Sequence, residues 1–131
     1  MPKSPSEEQI LVRQSGPLSG SVVIPGAKNS ALKLMAATLL ADGDYTITNT
    51  PHIADVPIMA TLLEALGVVV DSSRMDQGIL RITNSGSITP VAPYELVEKI
   101  RASINVLGPL LGRFGEVRVA MPGGDDFGSR P

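Results

Sequence analysis

Apolar and polar positions fall into short periodic blocks separated by Gly, Pro and Asp. Gln9–Val12 and Ser21–Ile24 read as short strands split by the turn Ser15-Gly16-Pro17. Pro25-Gly26-Ala27-Lys28-Asn29-Ser30 is a turn running into a helix, with Ala31, Leu34, Met35, Thr38 and Leu39 at spacings of three and four. Asp42-Gly43 ends it. Tyr45–Thr48 alternates as a strand does, and Thr50-Pro51 breaks it. Asp55 is placed to cap a second helix, with Pro57 tolerated in its first turn and Gly67 at its C-terminus. Val68–Val70 and Gly78–Thr83 follow as strands. Pro93 opens a third helix, whose stripe is Val97, Ile100, Ile104, Leu107 and Leu111 and which Pro109 should kink. Val117–Ala120 is the last strand. Residues 1–8, polar with two prolines, are expected as a disordered tail.

Part of this pattern recurs. Leu39-Leu40 leads through Gly43-Asp44 to Tyr45-Thr-Ile-Thr and Pro51. Leu110-Leu111 leads through Gly115-Glu116 to Val117-Arg-Val-Ala and Pro122, about 71 residues later. A repeated helix–turn–strand unit predicts an α/β fold whose units share buried helix faces. A chain showing fewer than two full units is expected to be incomplete.

Composition narrows the function classes. With 43% hydrophobic and 18% charged residues in 131, the chain can bury a core. The net charge of −2 and the lack of a basic block argue against a nucleic-acid surface. The chain has no cysteine, which excludes disulfides, thiolate metal sites and thiol catalysis. No apolar run reaches the roughly 20 residues that span a bilayer, and the start lacks a signal-peptide core. The expectation is a soluble, cytoplasmic protein with no membrane insertion.

Three segments carry candidate chemistry. At Gly26-Ala27-Lys28 a helix N-terminus and a full positive charge would suit a phosphate or carboxylate, although a helix start with a solvated lysine meets the same pattern. The spacing is not that of a P-loop. Arg101 and Asn105, four apart, would share a helix face that Gly108 continues; a solvated face is the plainer alternative. In Pro122-Gly-Gly-Asp-Asp-Phe-Gly-Ser-Arg-Pro131, Asp125 or Asp126 could work as a general acid or base if the loop closes over a substrate; an ordinary surface loop is the alternative. His52 reads as structural or exposed, and Met35 and Met59 as core filler.

These segments, in this order, resemble the UDP-N-acetylglucosamine 1-carboxyvinyltransferases. The resemblance rests on Leu18-Ser-Gly-Ser-Val-Val-Ile-Pro-Gly-Ala-Lys-Asn-Ser-Ala-Leu32, Arg101-Ala-Ser-Ile-Asn-Val-Leu-Gly-Pro-Leu-Leu-Gly-Arg-Phe114 and Pro122–Pro131. It implies transfer of the enolpyruvyl group of phosphoenolpyruvate to the 3′-hydroxyl of UDP-N-acetylglucosamine, the first committed step of peptidoglycan synthesis. By resemblance, Lys28, Asn29 and Arg130 contact phosphoenolpyruvate, and Arg101, Arg130 and Pro131 serve the nucleotide sugar. Asp125 stands where most members carry a proton-donating cysteine, the target of fosfomycin; a minority carry aspartate, and fosfomycin resistance is implied. No cofactor or metal is implied.

The fold implied is a two-lobed inside-out α/β barrel of repeated helix–strand units. Residues 9–25 would give strands to the second lobe, and residues 26–131 would form a partial first lobe ending in the catalytic loop. The missing C-terminal part would be a partner of this portion, and the 131 residues alone are expected to be inactive. An inactive remnant is one alternative. A shikimate-pathway enolpyruvyl transferase is another, disfavoured because its turn typically reads Gly-Ser-Lys rather than Gly26-Ala27-Lys28-Asn29.

Overall fold

The computed structural model describes residues 10–99 and 101–120, the Arg101 side chain excepted. The helices are α1 (Lys28–Ala37), α2 (Asp55–Ala65), α3 (Tyr94–Val97) and α4 (Leu107–Phe114). The strands are β1 (Gly43–Ile47), β2 (Val69–Asp71), β3 (Leu80–Asn84), β4 (Val91–Ala92) and β5 (Arg118–Val119). β3 lies centrally in an antiparallel sheet of order β1-β3-β2, with Tyr45 opposite Ile82 and Val70 opposite the same residue. β4 and β5 pair in parallel, joined through the long connection that carries α3 and α4, as parallel strands require.

β3 alternates buried Leu80, Ile82 and Asn84 with exposed Arg81 and Thr83, so one face of the sheet meets the helices. Against it pack Leu32, Met35 and Leu39 from the α1 side and Met59, Leu62, Leu63 and Leu66 from the α2 side, all fully buried. Val106 and Leu110 close the same core from the far segment. Met35 and Met59 are thus core residues, as expected.

α1 buries Ala31, Leu32, Met35 and Ala36, while Leu34 stays 52% exposed. Of the expected stripe, Ala31, Met35, Thr38 and Leu39 are buried and Leu34 is not; the buried face is widened instead toward Leu32 and Ala36. Leu34 instead lines a groove of about 430 Å³ with Ala37, Thr38 and Tyr45–Thr48.

The polar group holding this arrangement is buried Asn84. Its amide donates to the carbonyls of Thr38 and Ala41, each at 2.9 Å, and its Oδ1 accepts from the Gly86 N–H at 3.0 Å. The end of the first helical unit is thereby tied to β3, with both amide atoms of a buried side chain satisfied.

Three expectations need correction. The single helix after Pro93 is broken: α3 has four residues, a 3₁₀ segment runs from Arg101 to Val106, and α4 follows. The Ser103 hydroxyl donates to the Val97 carbonyl at 2.8 Å, taking the place of a helical N–H and stabilising the break. Ile104 and Leu111 are 40% and 49% exposed, and the buried positions are Val97, Val106 and Leu110; Ile100 lies outside the described residues. Pro109 sits in the first turn of α4, where its absent N–H is an orphan in any case, so it begins a helix rather than kinking one. Finally, residues 10–27 have no regular secondary structure, and Ile10, Leu11, Val12, Val22, Val23 and Ile24 are exposed. The strand pattern at 9–12 and 21–24 finds no pairing partner among the described residues.

The sequence repeat has a structural counterpart. In both units a helical segment passes through a positive-φ glycine into a strand, Gly43 into β1 and Gly115 into β5. The two helix ends meet. Arg113 donates to the Leu39 carbonyl at 3.0 Å and forms an ion pair with Asp42, its counterpart 71 residues earlier. Its guanidinium also lies 5.3 Å from the Phe114 ring centre.

Candidate functional site

The start of α1 collects the candidate chemistry that the structure describes. Ala27 is extended (φ −76°, ψ 138°) and no side chain caps the helix, so its first N–H groups have no side-chain acceptor. The Gly26 N–H donates to the Asn49 carbonyl at 3.1 Å, which pins the turn to the residues just after β1. The Thr50 N–H donates to the Gly78 carbonyl at 2.9 Å and fixes the other side of that loop. Between turn and loop lies a cavity of about 190 Å³, bounded by Gly26, Ala27, Ser30, Asn49 and Thr50 among others.

Gly26 is glycine because of close approach. A Cβ placed there would stand 2.1 Å from the Asn49 carbonyl oxygen. No side chain can occupy that space, and the clash is with backbone. Gly26→Ala is therefore expected to cost about 1–3 kcal/mol, seen as a lower midpoint in denaturant unfolding. At Gly20 an added Cβ meets nothing within 4 Å, and Gly20→Ala should move stability by less than about 0.5 kcal/mol. Equal effects of the two changes would refute this account of Gly26.

Lys28 is the first residue of α1, and its ammonium pairs with Asp55 Oδ2 at 2.5 Å. Asp55 was expected to cap α2. It lies one residue further in, inside the first turn, and Ala54 precedes it in helical conformation without a side-chain cap. A carboxylate in the first turn suits the positive end of α2, whereas an ammonium at the start of α1 does not suit the positive end of α1. The ion pair offsets that repulsion. Asn29 follows Lys28 and is exposed.

Arg101 opens the 3₁₀ segment that packs along α1, but its side chain lies outside the described residues. About three residues make a 3₁₀ turn, so positions 101 and 105 no longer share a face as the helical reading had it. Asn105 is half-buried, and a Cβ at Gly108 would meet nothing within 4 Å, so nothing described approaches it closely. Asp125, Asp126, Arg130 and Pro131 also lie outside the described residues. The structure thus brings the 101–106 segment against the helix that starts with Lys28, and it does not describe how the loop relates to either.

His52 is exposed in its turn. Asp71 has its carboxyl held below the usual carboxylate range, first by hydrogen bonding from Ser73, with Arg81 adding to it. It sits on β2, apart from the α1 start. Among the described residues no group of three or more His, Cys, Asp or Glu could hold a metal ion, and no helix is long and apolar enough to cross a membrane. Sequence reasoning missed the Lys28–Asp55 pair. An acidic residue in a first turn, just after Thr50-Pro51, was visible; its neighbour in space was not.

Known proteins resemble this chain in sequence and in fold. Residues 12–131 match the sequence model of the family described as EPSP synthase (3-phosphoshikimate 1-carboxyvinyltransferase). The UDP-N-acetylglucosamine 1-carboxyvinyltransferase of Mycolicibacterium paratuberculosis is 52% identical over 124 residues, covering 95% of this chain and 29% of that protein. Those of Jannaschia sp. and Rhodospirillum centenum are 48% and 45% identical, covering 94% and 95% of this chain and 29% and 30% of theirs. The chain thus spans less than a third of the length of the curated relatives it matches. The enolpyruvyl transferase NikO from Streptomyces tendae has the same fold over 75% of this chain and 22% of its own, with a TM-score of 0.65 and 26% identity. Matched over all but its first residues, and folded as an enolpyruvyl transferase is, the chain belongs to the EPSP synthase (3-phosphoshikimate 1-carboxyvinyltransferase) family.

Proposed function

We propose that the protein containing this chain transfers the enolpyruvyl group of phosphoenolpyruvate to the 3′-hydroxyl of UDP-N-acetylglucosamine, in the cytoplasm, at the first committed step of peptidoglycan synthesis. The observation that carries this is the α1 start: a lysine at an uncapped helix N-terminus, on the turn Gly26-Ala27-Lys28-Asn29 that Asn49 pins. Relatives at about half identity bearing that activity in their names support the sugar nucleotide over shikimate 3-phosphate as acceptor.

In this reading Lys28, with Asn29 and Arg130, faces the phosphate and carboxylate of phosphoenolpyruvate. Arg101, Arg130 and Pro131 hold the nucleotide sugar. Asp125 gives a proton to the methylene carbon as the sugar 3′-oxygen, losing its own proton to a base outside these 131 residues, bonds to the adjacent carbon and forms a tetrahedral intermediate. A proton then passes from the new methyl group back to a carboxylate, the C–O bond to phosphate breaks, inorganic phosphate leaves, and the enol ether forms. Fixed cations lower the barrier by meeting charge where it sits in the transition state. Residues 9–25 would belong to a second lobe, and residues 26–131 to the first.

Phosphate release by the full gene product tests the reading, and it should require both substrates. Release with phosphoenolpyruvate and shikimate 3-phosphate, or with phosphoenolpyruvate alone, would overturn it. The 131 residues assayed alone are expected to show no turnover, because the remainder of the cleft that the relatives' length implies is not in them.

A further inference from the structure

The Lys28–Asp55 ion pair joins the starts of two helices, and its charges are placed unequally. Asp55 is favoured by the end of α2, while Lys28 is repelled by the end of α1. Lys28 therefore needs an anion near it, and in this structure Asp55 is that anion. The pair is only partly shielded, with the lysine side chain 56% and the aspartate side chain 23% exposed. Its strength is that of a surface pair, which a better anion can displace.

We propose that Asp55 is an exchangeable counter-ion: it holds the Lys28 ammonium at the α1 start when no ligand is bound and gives it up to an incoming phosphorylated or carboxylated ligand. This rests on the reading of Lys28 as an anion-binding residue. An arriving anion gains the ammonium and the uncapped N–H groups of α1 together, two favourable terms that Asp55 does not meet from its place in α2. The exchange makes Asp55 a positioning residue. It keeps a long, flexible side chain near the site at the expense of part of the binding energy, since its charge opposes the ligand's.

Titration calorimetry with phosphoenolpyruvate on the full gene product tests this. Asp55→Asn should bind the probe about two- to five-fold more tightly, the worth of a surface ion pair. Asp55→Glu, which keeps the charge, should stay near the parent. The gain from Asp55→Asn should vanish in a Lys28→Ala background, because the cycle isolates the pair. Unchanged or weaker binding by Asp55→Asn, or the same gain without Lys28, overturns the exchange while leaving the role of Lys28 standing. Unaltered binding by Lys28→Ala alone overturns both. Thermal unfolding of each variant separates a loss of affinity from a loss of fold.

Discussion

Lys28→Ala should lower kcat/KM for phosphoenolpyruvate by about 10²–10³-fold, the usual consequence of removing one fixed electrostatic partner from a charged transition state. The lysine is placed for this by the backbone around it. The Gly26 turn is pinned by a hydrogen bond to Asn49, and α1 is anchored by the buried side chains of Leu32 and Met35. The residue contributes little to folding. Its ion pair with Asp55 is partly solvated, and such pairs are worth about 0.2–1 kcal/mol. Loss of activity in a variant with a normal unfolding transition would therefore report on the site. Lys28→Arg should recover only part of it, because a planar guanidinium does not occupy the position of a compact ammonium. Unchanged kinetics in Lys28→Ala would remove the lysine from the mechanism and, with it, the observation that carries the functional reading.

The turn was legible in the sequence because its signals are local. Glycine, the helix period and the Asp42-Gly43 stop are properties of a few consecutive residues, and α1, β1, α2 and β3 lie close to where the pattern put them. The parts that were not legible depend on distant residues. Val22, Val23 and Ile24 read as a strand, yet a strand exists only with a pairing partner, and none of the described residues supplies one. Leu34 has the right period for the core but faces outward, because the rotation of a helix is set by what packs on it. The stretch after Pro93 has apolar residues at helical spacing. Ser103, however, takes the Val97 carbonyl, and Gly108-Pro109 favours a fresh helix start. Of the candidate site, the position of Lys28 at a helix start was visible from its own neighbours, whereas its pairing with Asp55 required the crossing of α1 and α2. The same limit applies to Arg101: its i, i+4 relation to Asn105 assumed an α-helix that is locally 3₁₀.

Asp125→Ala is expected to lower kcat by about 10²–10⁴-fold, the range for a lost general acid, and the parent enzyme is expected to resist fosfomycin. Asp125 lies outside the described residues, so the case is chemical. The position follows Pro122-Gly123-Gly124, where the resembling enzymes mostly carry cysteine. Fosfomycin is an epoxide that alkylates a thiolate, and the thiolate owes its reactivity to a polarizable, accessible anion. A carboxylate is a far weaker nucleophile, so the covalent adduct should not accumulate. Proton donation should survive the exchange, because a carboxyl group enclosed with a substrate and removed from water would have its protonated form favoured. Asp125→Cys supplies the decisive comparison. Incubated with fosfomycin, it should gain the mass of the drug and lose activity, while the parent does neither. Asp126→Ala should retain most activity if the donor is the residue directly after Gly124. Covalent inactivation of the parent would show that a side chain other than a thiol reacts with the drug. Full activity in Asp125→Ala would move the proton donor elsewhere, with Asp126 the first residue to replace.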